Sequence, residues 1–114
     1  MNQKKTLIQI NSDQMGVGSP ELGKTLIDNY LKLIIQEEIL PSVIVFYNSG
    51  VKLTCEDSTV LETLRRIEEC GVKLVSCKTC LNHFNLGNKM QVGMAGTMID
   101  IIALQNEAGK VITL

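Results

Sequence analysis

The residues best suited to chemistry are Cys77-Lys78-Thr79-Cys80, two cysteines three positions apart. Cysteine reacts as thiolate, and a helix N-terminus or a neighbouring cation lowers its pKa from about 8.5. The segment follows a predicted strand, Val72 to Val75, and opens a short helical turn through Phe84. In that setting Lys78 supplies positive charge, and the amides of Thr79, Cys80 and Leu81 are available to the Cys77 sulfur. Cys80 stands one helical turn on, spaced to attack a disulfide or persulfide formed on Cys77. The plain alternative is a pair of small buried side chains.

Other chemistries fit less well. A thioredoxin-like oxidoreductase also sets C-x-x-C at a strand-to-helix junction, but it needs a proline facing the pair, and no proline follows Pro41. Zinc could draw on Cys77, Cys80, His83 and Cys55, yet a second C-x-x-C is missing, so no metal is expected. His83 reads as a surface residue. Cys55 in a polar loop and Cys70 at a helix end read as small hydrophobes. Gly18-Ser19-Pro20-Glu21-Leu22-Gly23-Lys24-Thr25 satisfies the phosphate-loop pattern. Pro20, however, removes a backbone amide and Glu21 brings negative charge where phosphates would sit. The segment reads instead as a capped helix start whose glycines serve turns and close packing.

The elements that must position these residues alternate between strand and helix. Thr6 to Asn11 is a β run, followed by a loop from Ser12 to Ser19. A helix opens with Ser19 as N-cap and Pro20 at its first position. Its apolar stripe is Leu22, Leu26, Ile27, Tyr30, Leu31, Ile34 and Ile35. After Pro41, the run Val43 to Tyr47 reads as a strand covered on both faces. Asn48-Ser49-Gly50 is a turn signal. At a strand's carboxyl end, Asn48, Ser49 and the Gly50 amide become hydrogen-bond donors to a sulfur anion.

A second helix fits Ser58 to Cys70, capped by Ser58 and stopped by Gly71. Beyond the cysteine pair, Lys89 to Val92 is expected as a short fourth strand. Gly96 to Asn106 is expected as a helix so apolar, with Met98, Ile99, Ile101, Ile102 and Leu104, that it should be largely buried. Val111 to Leu114 closes the sheet. Alternation of this kind implies crossover connections and a mostly parallel sheet. Ligands in such sheets sit outside the carboxyl ends of the strands. Here those ends carry loops 12–19, 48–57 and 76–82.

Composition narrows the function classes. The 114 residues include 11 basic and 12 acidic side chains, a formal charge of −1. That balance argues against a dedicated nucleic-acid or anionic-membrane binder. No apolar run approaches the ~20 residues of a membrane span. One α/β domain, soluble and cytoplasmic, is expected.

Three segments together resemble one family. Gly16-x-Gly18-x-x-Glu21-Leu22-Gly23, then Asn48-Ser49-Gly50-Val51-Lys52-Leu53, then Cys77 to Cys80 with Leu81, are similar to the DsrE/DsrF-like sulfur-relay family. Within it they resemble most the C-terminal domains of the YedF branch, associated with selenium metabolism. The resemblance spans essentially the whole chain, 1–114, as a single DsrE-like domain. It implies a three-layer α/β/α sandwich with a mainly parallel five-stranded sheet and a tendency to form homo-oligomers. It also implies that Cys77 carries sulfur, or selenium, as a persulfide, with Cys80 as a resolving thiol. Asn48, Ser49, Gly50, Lys78 and Thr79 would then line the sulfur site.

YedF-type proteins usually carry an N-terminal TusA-like domain with a Cys-Pro motif. This sequence contains none, so a TusA-like domain or protein is an expected partner, beside persulfide-bearing donor and acceptor proteins. No cofactor is implied. Two other readings stay open: an oligomeric binding or scaffold domain with redox-sensitive or inert cysteines, and a small nucleotide-binding protein using Gly18 to Thr25.

Overall fold

The computed structural model describes residues 5–114. Five strands form one sheet in the order β4-β3-β2-β1-β5, and every pairing is parallel. Helices flank the sheet in a three-layer α/β/α arrangement, as expected. The strands are β1 (Thr6–Ile10), β2 (Val43–Phe46), β3 (Lys73–Cys77), β4 (Met94–Gly96) and β5 (Lys110–Thr113). The helices are α1 (Pro20–Gln36), α2 (Leu61–Glu69), α3 (Lys78–His83) and α4 (Met98–Glu107), with a 3-10 helix at Asn48–Thr54.

β2 lies at the centre, and all four of its residues are buried. This is why it reads as a continuous apolar run rather than an alternating one. Register places Ile10 beside Phe46 and Phe46 beside Ser76. The carboxyl ends of the three middle strands therefore share one edge, and the loops that follow them share one neighbourhood.

α1 begins as expected. Ser19 accepts a hydrogen bond from the Leu22 amide, and Pro20 takes the first turn, where its missing N–H costs nothing. The helix buries Gly23, Ile27, Leu31 and Ile34. Complete burial of an aliphatic side chain contributes about 1.5–3 kcal/mol. Leu22 and Leu26, expected in the same stripe, are exposed together with Leu33. α2 starts later than expected, at Leu61. Ser58 still accepts from the Val60 amide, but in the loop before the helix. Gly71, at φ 97°, follows α2 in the left-handed conformation that favours glycine.

Two expectations fail. Lys89 to Val92 does not join the sheet. Met90 forms an isolated antiparallel bridge with Cys55, and the Gln91 amide donates to the Thr54 carbonyl, so this stretch fastens the 3-10 helix. Gly93, at φ 77°, then turns the chain so closely past β3 that a Cβ would meet Leu74. β4 proper is Met94–Gly96, three residues, two of them exposed, too short to carry an apolar strand signal.

α4 is likewise not buried. Only Ile101 is enclosed, while Met98, Ile99 and Ile102 are 49%, 78% and 55% exposed. Its N-terminus is nevertheless well formed: Thr97 and Asp100 make a reciprocal capping box. Local signals thus specify the helix, and its apolar residues simply encircle it instead of sharing one inward face.

Candidate functional site

Gly50 fixes the 3-10 helix. A Cβ at this position would run into the Ile10 carbonyl, so only glycine lets the helix lie directly on the end of β1. The Gly50 amide donates to Tyr47 O at 3.0 Å, and the Ser49 hydroxyl accepts from the Asp13 amide at 3.2 Å. The Gly50 amide thus closes the first turn of the 3-10 helix and the Ser49 hydroxyl ties loop 12–19 to it, while neither hydrogen-bonds a cysteine sulfur.

At the other end of this helix lies a buried chain of hydroxyls. Thr54 Oγ1 donates to Val51 O at 2.8 Å, so the 3.1 Å contact between Thr54 and Ser76 must be donated by Ser76. A hydroxyl has one proton to give. This chain pins the 3-10 helix to β3, one residue before Cys77.

β3 runs two residues further than the sequence suggests. Cys77 is its last residue, paired in register with Gly96, and is only 1% exposed. It occupies the N-cap position of α3 without making a side-chain capping hydrogen bond. The expected cradle of amides from the following residues therefore does not form around Cys77.

Cys80, in the first turn of α3, is half-buried. Its Sγ accepts a hydrogen bond from the Asn48 N–H at 3.0 Å. Asn48 acts here through its backbone. Its side-chain Oδ1 instead accepts from the Ser49 amide at 2.8 Å, which holds the residue in a left-handed conformation at φ 51°. Asparagine tolerates that conformation because its short polar side chain bonds locally.

Burial pushes the Cys80 thiol up from its ordinary pKa. The Asn48 N–H pulls it back, and the adjacent Cys77 side chain pushes it up again. Cys80 opens into a pocket shared with Asn48, Thr79, His83 and Phe84. His83 packs edge-on against Phe84, with ring centroids 5.0 Å apart. Lys78 is exposed beside the pair.

The site thus brings together Cys77 from the end of β3, Thr79 and Cys80 from α3, and Asn48 from the 3-10 helix. The sequence named all four residues, but the decisive contact joins positions 32 apart through a backbone amide and had no local signal. Among the described residues, no group of three or more His, Cys, Asp or Glu side chains is arranged to hold a metal ion.

The phosphate-loop match has a structural explanation as well. The Met15 amide donates to Gly23 O at 2.9 Å, and a Cβ on Gly23 would meet Gln14, so this glycine serves the close packing of loop 12–19 on the helix. Thr25 returns its hydroxyl to Glu21 O.

This architecture, a parallel five-stranded sheet flanked by helices, is that of the DsrE fold. The DsrE/DsrF-like family model matches residues 29–114, and the chain belongs to that family. No curated protein matches the chain in sequence. Among solved structures it is similar to the ychN protein from E. coli, with TM-score 0.73 and 21% identity over 98% of this chain and 100% of that one. A protein of unknown function, MTH1491 from Methanobacterium thermoautotrophicum, has the same TM-score of 0.73 at 18% identity, again over 98% and 100% of the two chains. BT1422 from Bacteroides thetaiotaomicron, a conserved protein of unknown function, gives 0.61 at 17% identity over 96% and 95%. At these identities the likeness concerns the fold. Among the described residues no helix is long and apolar enough to cross a membrane.

Proposed function

We propose that this chain is a sulfur-relay protein in which the Cys77–Cys80 pair accepts and passes on sulfane sulfur. The observation that carries the reading is the Asn48 N–H aimed at Cys80 Sγ, 3.0 Å away, in a pocket open to solvent. An N–H held against sulfur favours its anionic form. Family membership supports the same chemistry. The sequence expectation made Cys77 the carrier and Cys80 the resolving thiol. The 1% exposure of Cys77 favours the reverse order of contact, with Cys80 meeting the donor and Cys77 behind it.

In the transfer, the Cys80 thiolate attacks the outer sulfur of a donor persulfide. A new S–S bond forms on Cys80 while the donor's S–S bond breaks. The donor leaves as a thiolate and takes up the proton that Cys80 released. An acceptor thiol then repeats the step on the Cys80 persulfide, with no net oxidation. Release as hydrosulfide through a Cys77–Cys80 disulfide would oxidise the pair and require a dithiol reductant, so direct handoff is the simpler route. Selenium could follow the same path, and TusA-like proteins are the donor or acceptor class suggested by the family resemblance. The cytoplasm, where free thiols persist, suits this chemistry.

Intact mass after incubation with a persulfide donor tests the proposal. Wild type and Cys70→Ser should each gain one sulfur atom, and Cys80→Ser should gain none. A gain that survives in Cys80→Ser, or no gain in wild type, contradicts it. The burial of Cys77 favours one second reading, an oligomeric scaffold with inert cysteines, which the latter result would support. Self-association is proposed under either reading, through the exposed Met98, Ile99 and Ile102 of α4. Sedimentation should then show Ile99→Asp to be smaller than wild type, and equal sizes would contradict the assignment.

A further inference from the structure

A larger cavity, of about 380 Å³, lies on the other side of Phe84 from the Cys80 pocket. That volume falls within the range typical of small-molecule sites, roughly 300–1,000 Å³. Its floor is apolar, formed in part by Ile27, Leu53 and Val60, all of them buried. Its rim is charged in both signs. Lys24 comes from α1 and Lys52 from the 3-10 helix, while Asp13, Glu56 and Asp57 come from two loops. Lys52 is held with its ammonium 4.6 Å from the centre of the Phe84 ring, a cation–π contact that keeps the charge at the cavity mouth.

These rim charges do not neutralise one another. Among the described residues the one salt bridge is Lys32 with Asp28, neither of which lines this cavity. Charges of both signs without a salt-bridge partner, set around an apolar floor, complement a ligand that carries both charges on an apolar body. Three carboxylates disfavour a phosphate or nucleotide, and two ammonium groups disfavour a simple cation.

We propose that this cavity binds a small zwitterion of the amino-acid class with an apolar side chain. The ligand's carboxylate faces Lys24 and Lys52, its ammonium faces Glu56 and Asp57, and its side chain covers the apolar floor. The site stands independently of sulfur transfer, although Phe84 forms a wall of both pockets.

Calorimetric titration of the full chain reads binding alone and needs no sulfur chemistry. The probes are L-phenylalanine, 3-phenylpropionate, which lacks the ammonium, and phenethylamine, which lacks the carboxylate. L-Phenylalanine should bind saturably and about tenfold or more tightly than either analogue. Lys24→Glu and Glu56→Gln, both at exposed positions, should each weaken it by about tenfold. Equal affinity for the three probes would overturn the proposal, as would the absence of saturable binding or an affinity unaltered in both variants.

Discussion

Cys55 and Cys80 meet opposite ends of the same 3-10 helix. At the C-terminal end, Cys55 Sγ donates to the Val51 carbonyl at 3.3 Å and is 1% exposed. At the N-terminal end, Cys80 Sγ accepts from the Asn48 N–H at 3.0 Å, and the residue is half-buried rather than enclosed. A carbonyl acceptor favours the protonated thiol, and an amide donor favours the thiolate. Burial pushes both thiols up. At Cys55 the Glu56 charge adds to that rise. At Cys80 the opposing group is the Asn48 N–H, backed by access to solvent. Residue type is the same in both places; the polarity of the backbone that each sulfur meets sets them apart.

The largest expected effect is on reactivity. In the native protein, iodoacetamide should modify Cys80 about 100-fold or more faster than Cys55, because only a thiolate that reagent can reach reacts. Comparable rates would erase the distinction.

A Gly50→Ala change should be felt next. The added methyl meets the Ile10 backbone, which cannot swing aside as a side chain would. Overpacking of this kind costs about 1–3 kcal/mol, readable by denaturant unfolding. It should also slow alkylation of Cys80 by shifting the Asn48 amide. Wild-type stability and reactivity together would mean that the helix is not held against β1.

The smallest effect concerns alkaline pH. Both thiols have raised values in the fold, so their stabilising contribution is full below the ordinary thiol range and declines as pH rises through the folded values. Denaturant midpoints should therefore fall between about pH 8 and pH 10. Cys55→Ser should flatten that decline more than Cys80→Ser, since no amide donor offsets the burial of Cys55. Equal flattening would remove the contrast between the two ends.

The sequence showed much of the scaffold because local chemistry determines it. Ser19 and Pro20 announce α1, the unbroken run at Val43–Phe46 marks a central strand, and Gly71 marks the end of α2. What it concealed depends on distant partners. Lys89 to Val92 has strand-like residues but spends its hydrogen bonds on the 3-10 helix, while Met94–Gly96 pairs with β3 without an apolar signature. Met98, Ile99 and Ile102 carry no information about whether a surface or a core receives them. The C-x-x-C pair was legible as a candidate site. The relative access of its two sulfurs was not, because that depends on β3 extending to Cys77 and on one amide from the 3-10 helix.

Trypsin offers the most direct test, since Lys78 lies between the two cysteines. After brief treatment with a persulfide donor, alkylation of the trapped product and digestion, the fragments 74–78 and 79–89 report Cys77 and Cys80 separately. The account predicts the additional sulfur on 79–89. Sulfur on 74–78 instead, or on neither fragment, would contradict it.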